Sequence, residues 1–488
     1  MGYDEQEYSQ KFSLSTWKRL LPFLSPYKRA FALMLCFNCL TAFMDVLFPL
    51  FQRYAVDEFI EADTLSGIWV FAAFYLCVIL VQTLSVLGMG RNSMFIEMTV
   101  GRDMRRAAFT HLQTLSFSYY NVTPVGYILS RVMSDTMKIA GIIGWALPDV
   151  IWAVVYLCCA LASMLVLNWR LALVVIVIVP LIALTTAYFQ GKILLWNRRV
   201  RKLNSRITGA FNEGITGAKT SKTLVIERDN SESFRRLTGE MYESGVKATR
   251  VRAVYVPLVL FLSTMAVAVI LVRGGALSIE GLIELGTLSA FTTYAVGIFE
   301  PVQLVAEYIA EFVSIQASIE RVTGLLDTEP LVKDTPEVVE KYGDSLHPKR
   351  ENWEPIRGDI EFRDVTFRYP DGGEDVLSHF NLKIPAGTTV AIVGETGAGK
   401  STLVNLACRF FEPTSGQILI DGRDYRERSQ LWLHSAIGYV LQSPHLFSGS
   451  VRENIRYGRL DATDEEIEAA ARAVSADRVV ERLENGWD

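Results

Sequence analysis

The chain has 488 residues, half of them hydrophobic and only 21% charged, with a mean hydropathy of +0.24. Its net charge of −5 gives no basic excess of the kind a nucleic-acid binder shows, and its length leaves room for more than one domain. The six cysteines (Cys36, Cys39, Cys77, Cys158, Cys159 and Cys408) have neither metal-ligand nor redox spacing and read as small apolar fillers.

Residues 1–29 form a polar cytoplasmic segment without the pattern of a cleaved signal. Within it, Ser15 to Leu24 (STWKRLLPFL) reads either as a short amphipathic helix on the membrane surface or as a lead-in to the first span. Six apolar runs follow, at 30–52, 67–90, 141–167, 171–193, 253–273 and 286–306. Each approaches the roughly 20 residues a helix needs to cross a hydrocarbon core of about 30 Å. The third and fourth are separated only by Asn168-Trp-Arg170, which predicts a tight hairpin.

Basic residues gather in the N-terminal segment, in the second connection and in the fourth, where WNRRVRKLNSR occupies 196–206. The first and fifth connections instead carry Asp57, Glu58, Glu61, Asp63, Glu280 and Glu284. That bias predicts a multi-pass protein of the cell membrane with both termini in the cytoplasm. The two complete inside connections have a mixed pattern that suits helix. Helices of about 20 residues there would project about 30 Å beyond the bilayer. The turns near 118–135 and 212–224 are then expected to act as levers against a globular domain.

Charges within or beside the spans need a partner or water. Asp45 reads equally as a hydrated interfacial group or a substrate-facing one. Glu300, Glu307 and Glu311 share one helical face and read as a solvated or interhelical row.

The transmembrane domain is expected over 30–321, a polar linker over 322–357 and a second domain over 358–488. There the pattern changes to short strands. DIEFRDVTFRY (359–369) alternates as a half-buried strand does, TTVAIVG (388–394) is a short apolar strand, and KSTLVNLACRFF (400–411) reads as a helix. Between the last two lies Gly394-Glu395-Thr396-Gly397-Ala398-Gly399-Lys400-Ser401, followed by Thr402, which matches G-x-x-x-x-G-K-[ST]. The glycines let backbone N–H groups close around phosphate oxygens at the positive end of a helix. In this motif Lys400 reaches the β- and γ-phosphates and the Ser401 hydroxyl ligates Mg²⁺. The fold class expected is an all-α six-helix transmembrane domain plus an α/β P-loop nucleotide-binding domain, incomplete within these residues.

Six spans, long inside hairpins and this loop in one chain resemble a half-transporter of the ABC exporter family. The resemblance implies ATP as nucleotide, with Tyr369 of FRYP stacking on adenine. IGYVLQSPHLFSGSVRENI (437–455) looks like the family's glutamine loop, which would put Gln442 on Mg²⁺ and the attacking water. The family's partners follow: a second half-transporter of the same or a different chain, membrane lipid, and a small-molecule, lipid or peptide cargo, with no nucleic acid. Bound ATP would close two nucleotide domains on each other, and an amphipathic or apolar compound is the cargo expected for export. Thr463-Asp-Glu-Glu466 opens a helix with a capping box, but no LSGGQ-type signature or acidic strand end occurs in 1–488. The expectation is a C-terminally truncated fragment of a longer protein, unable to hydrolyse ATP by itself. A nucleotide-binding but non-hydrolysing partner subunit, or an importer or lipid flippase on the same scaffold, are the alternatives.

Overall fold

A computed structural model describes residues 13–370, 372–441 and 445–488, which divide into two compact units, Met1–Leu331 and Val332–Asp488.

The first unit is helical throughout its described residues. Two short helices, α1 (Leu14–Lys18) and α2 (Leu21–Leu24), precede α3 (Lys28–Ala55), which contains the first expected span. The second span begins α4 (Ile68–Leu112). Short helices α5 (Phe117–Val122), α6 (Val125–Leu129) and α7 (Thr136–Gly141) carry the chain back to the third span, α8 (Leu147–Leu167). The fourth and fifth lie in α9 (Trp169–Thr216) and α11 (Glu227–Ile279), joined by α10 (Ala218–Leu224). Among the described residues five helical stretches are long and apolar enough to cross a membrane.

The sixth expected span, 286–306, runs through α12 (Leu285–Gly297) into α13 (Phe299–Leu326), with a one-residue break at Ile298, whose dihedrals stay helical (φ −69°, ψ −22°). Pro301 explains the break, since it has no N–H to offer the carbonyl of Gly297 four residues back. The hairpin at Asn168 forms as expected: its Oδ1 accepts from the N–H groups of Arg170 (3.1 Å) and Leu171 (3.2 Å) and caps α9.

Three helices run well past their apolar stretches. At 1.5 Å per residue, α4 extends about 33 Å, α9 about 35 Å and α11 about 39 Å beyond them. The α9–α11 pair is held near the fifth span by Tyr255, which is buried against Phe189 with ring centroids 5.7 Å apart. Towards its tip it is held by Phe211 and Phe234, 6.2 Å apart.

The second unit is built on a four-stranded antiparallel sheet, in the order β2-β1-β3-β4. The strands are β1 (Ile360–Phe367), β2 (Leu377–Ile384), β3 (Ser415–Ile420) and β4 (Arg423–Asp424). Phe362, Val365, Phe367, Ile418 and Ile420 turn into one core with Leu403 and Leu406 of α15 (Lys400–Ala407). Of the stretch expected as linker, 332–357 folds onto this unit. Within it α14 (Pro336–Tyr342) puts Val338 and Tyr342 into the same core. The remaining helices are α16 (Gln430–Ser435), α17 (Val451–Arg456), α18 (Asp464–Ala473) and α19 (Asp477–Val480). The capping box at Thr463 is present in both directions, as the sequence suggested.

Two expectations fail here. Residues 388–394 do not form a strand, although the run is apolar. A strand needs a hydrogen-bonding neighbour, and among the described residues none is paired with this segment. Val393 is accordingly 91% exposed. The helix expected over 400–411 stops at Ala407, because Arg409 adopts a left-handed conformation with φ of 55°.

Candidate functional site

The glycine-rich loop leads directly into α15. Gly397 and Gly399 have φ of +91° and +81°, a region that disfavours any residue with a Cβ. At Gly399 a Cβ would also stand 3.1 Å from Val376 Cγ1, so glycine is needed there for two reasons. The first intrahelical bond, from Leu403 N–H to the Gly399 carbonyl (2.9 Å), leaves the N–H groups of Lys400, Ser401 and Thr402 without helical acceptors. These donors, with the helix dipole behind them, are suited to an anion.

Lys400 bends back over the loop, its Nζ donating to the carbonyls of Gly394 (2.8 Å) and Glu395 (2.6 Å). Its ammonium is thereby held above the loop rather than extended into solvent. The Ser401 side chain is exposed, whereas Thr402 is buried. Glu395, Thr396 and Ala398 form the exposed outer side of the loop, where Ala398 N–H closes a turn on the Glu395 carbonyl (3.1 Å).

The fold brings Tyr369 to this loop from the end of β1. Its hydroxyl lies 2.9 Å from Thr402 Oγ1. Its ring meets Phe367 and Phe411 edge to face, with centroids 4.9 and 5.2 Å away. Gln442 lies outside the described residues. Among those described, no group of three His, Cys, Asp or Glu side chains could hold a metal ion. The exposed Ser401 hydroxyl fits Mg²⁺ better, because that ion keeps several waters and is commonly held by one or two protein ligands plus phosphate oxygens.

Behind the loop lies an ionic centre that sequence reasoning missed. Arg409 is 1% exposed and donates from Nη1 to Asp334 Oδ1 (2.7 Å) and from Nε to Glu412 Oε1 (2.9 Å). Nη1 also donates to the Arg428 carbonyl (2.8 Å). The available signal was a charged residue within the apolar run LACRFF. Nearby, His434 donates from Nε2 to the Cys408 carbonyl (2.8 Å), and burial holds its pKa below the usual histidine value of 6.5. Burial opposes the charge of Asp421, but N–H donors from Arg357, Asp359 and Gly358 hold its carboxyl below the usual range.

In the first unit, Asp45 is half-buried and finds its partners on neighbouring helices. Its carboxylate accepts from Gln82 Nε2 (2.5 Å) and Trp152 Nε1 (2.8 Å), tying α3 to α4 and α8. Glu300, Glu307 and Glu311 are exposed on this unit. The turn region 118–135 packs against α13 through Asp135, Ile128 and Val132, whereas 212–224 is largely exposed.

A multi-pass helical unit and a phosphate-loop unit in one chain define an ATP-powered membrane transport protein. Residues 31–302 match the family model of the ABC transporter transmembrane region, and 377–486 match that of the ABC transporter. The uncharacterized ABC transporter ATP-binding protein YfiC of Bacillus subtilis is 31% identical over 482 residues, covering 98% of this chain and 77% of the relative. An ATP-dependent lipid A-core flippase of Desulfotalea psychrophila is 33% identical over 393 residues, 80% of this chain and 66% of the flippase. The putative multidrug export ATP-binding/permease protein YgaD of Bacillus subtilis is 28% identical across 97% of this chain and 81% of its own length. The chain belongs to the ABC transporter family, with the half-transporter arrangement of its exporters.

Proposed function

We propose that the chain is one half of a dimeric ATP-driven exporter in the cell membrane, with both termini cytoplasmic and an amphipathic or apolar drug, lipid or peptide as cargo. The observation that carries this reading is the loop entering α15, with three free helix-start N–H groups and Lys400 above them, in the same chain as a membrane domain.

In this reading the loop N–H groups and Lys400 hold the β- and γ-phosphates of ATP. Tyr369 supports the adenine, and Ser401 with Gln442 holds Mg²⁺, which would neutralise phosphate charge. Gly394 to Thr402 wrap the phosphates as a unit. ATP favours a closed pairing with the second half-transporter, of the same or a different chain. The long helices and the turns at 118–135 and 212–224 convey that closure to the spans. ATP and cargo thus bias one two-state assembly from separate sites.

Hydrolysis resets the assembly.

Within the cargo classes, the lipid A-core flippase relative favours a lipid. The test is ATP-dependent movement of a labelled phospholipid and of a cationic dye across vesicles containing the chain with its partner half. Movement of either that disappears in Lys400→Ala supports the proposal. Equal movement with and without ATP overturns it.

A further inference from the structure

The first unit contains an open apolar groove of about 300 Å³ beside the N-terminal helices. Trp17, Leu21 and Leu24 line it from α1 and α2, Ile143 and Leu147 from the start of the third span, and Phe312 from α13. These helices are held on α13 by a row of contacts. Ser13 N–H donates to Gln316 Oε1 (2.7 Å), Thr16 Oγ1 donates to Glu320 Oε1 (3.4 Å), and Arg19 pairs with Asp327. The Trp17 ring meets Phe312 edge to face at 5.4 Å.

We infer that this groove binds one acyl chain of an anionic phospholipid from the leaflet that the N-terminal segment faces. The lining side chains are apolar, so water would find too few polar partners inside. Apolar walls left open gain dispersion contacts once an apolar body covers them. Because Ile143 and Leu147 open an expected membrane span, an acyl chain is the apolar body at hand.

The charge around the groove selects the headgroup. Lys18 and Arg19 fall between two lining residues, Trp17 and Leu21, and Lys28 and Arg29 open α3 just beyond Leu24. Among the described residues, Lys18, Lys28 and Arg29 are exposed and form no ion pair. Basic clusters immediately beside a span attract anionic lipid. The site is built from residues of the first unit alone, and it does not depend on what the protein exports.

The test is native mass spectrometry of the detergent-purified full chain titrated with phosphatidylglycerol or phosphatidylcholine. Retention of phosphatidylglycerol about tenfold more strongly than phosphatidylcholine is expected. The double variant Lys28→Glu/Arg29→Glu should bring the two lipids level. Leu21→Trp, at an exposed position lining the groove, should lower retention of both. Equal retention of the two lipids by the wild-type chain, or an unchanged preference in the charge variant, overturns the inference. The charge variant keeps the test decisive should Leu21→Trp fail to fold. ATP binding measured on the same samples should not change, which separates this outcome from any failure of the exporter reading.

Discussion

Asp135 and Arg321 form a two-pronged ion pair, with Arg321 Nε 2.7 Å from Asp135 Oδ2 and Nη2 2.7 Å from Oδ1. Ser318 Oγ donates to the same carboxylate at 3.0 Å, and the Asp135 side chain is 2% exposed. The pair fixes the turn region after α4 to the last turns of α13. Removing one partner leaves a buried charge uncompensated, which typically costs about 3 kcal/mol or more. Arg321→Ala should therefore lower the thermal midpoint of the membrane unit, and Asp135→Ala/Arg321→Ala should cost less than the two single changes added together. Strict additivity in a thermal-shift double-mutant cycle would show that the two side chains are not coupled.

Lys400→Ala should separate binding from stability. The ammonium donates only to exposed loop carbonyls, so its loss should change stability by under about 0.5 kcal/mol. Losing its charge-assisted bonds to phosphate should weaken ATP binding by about tenfold to a hundredfold. Calorimetric titration of ATP checks this. An unchanged affinity would remove Lys400 from the phosphate site.

Tyr369 offers two roles that substitution can distinguish. Tyr369→Phe loses only the hydroxyl contact with Thr402, worth about 1 kcal/mol of stability, and should keep ATP affinity. Tyr369→Ala also removes the ring and should weaken ATP by about 1–3 kcal/mol if the ring stacks on adenine. Binding of ATP and of inorganic triphosphate should then diverge, with only the former affected. Equal losses for both ligands would point to a disturbed loop instead.

His434 predicts an acid sensitivity of the nucleotide unit. Burial lowers its folded pKa below 6.5, so the unfolded chain binds the extra proton first as pH falls. Its contribution to stability is full above about pH 6.5 and declines as pH falls towards the folded value. Denaturant midpoints measured between pH 7.5 and 5 should fall, and His434→Gln should flatten that part of the profile. Asp421, with its lowered pKa, adds a further loss at more acidic pH, because its carboxyl takes up a proton more readily in the unfolded chain.

Much of the membrane unit was legible because crossing a bilayer is a local requirement. An apolar run of sufficient length forms a helix wherever it is placed, so the first five spans and the Asn168 hairpin appeared where expected. The sixth is helical as well, but hydrophobicity does not register the hydrogen bond lost at Pro301. Asp45 could be flagged as costly, but its donors stand 37 and 107 residues away on other helices. In the second unit the loop was legible through spacing alone, whereas Tyr369 beside Thr402 depends on a contact across 33 residues.

By itself the sequence determined what short-range physics controls: which runs can lie in lipid, where a glycine must permit positive φ, and where a helix start can hold phosphate. The tertiary structure decided what needs a distant partner. It left 388–394 without a strand neighbour, buried Arg409 against Asp334 75 residues earlier, and tied Asp135 to Arg321 across 186 residues. Periodicity and turn chemistry act within a few residues, but a strand edge or a buried charge is satisfied only by whatever the fold brings beside it.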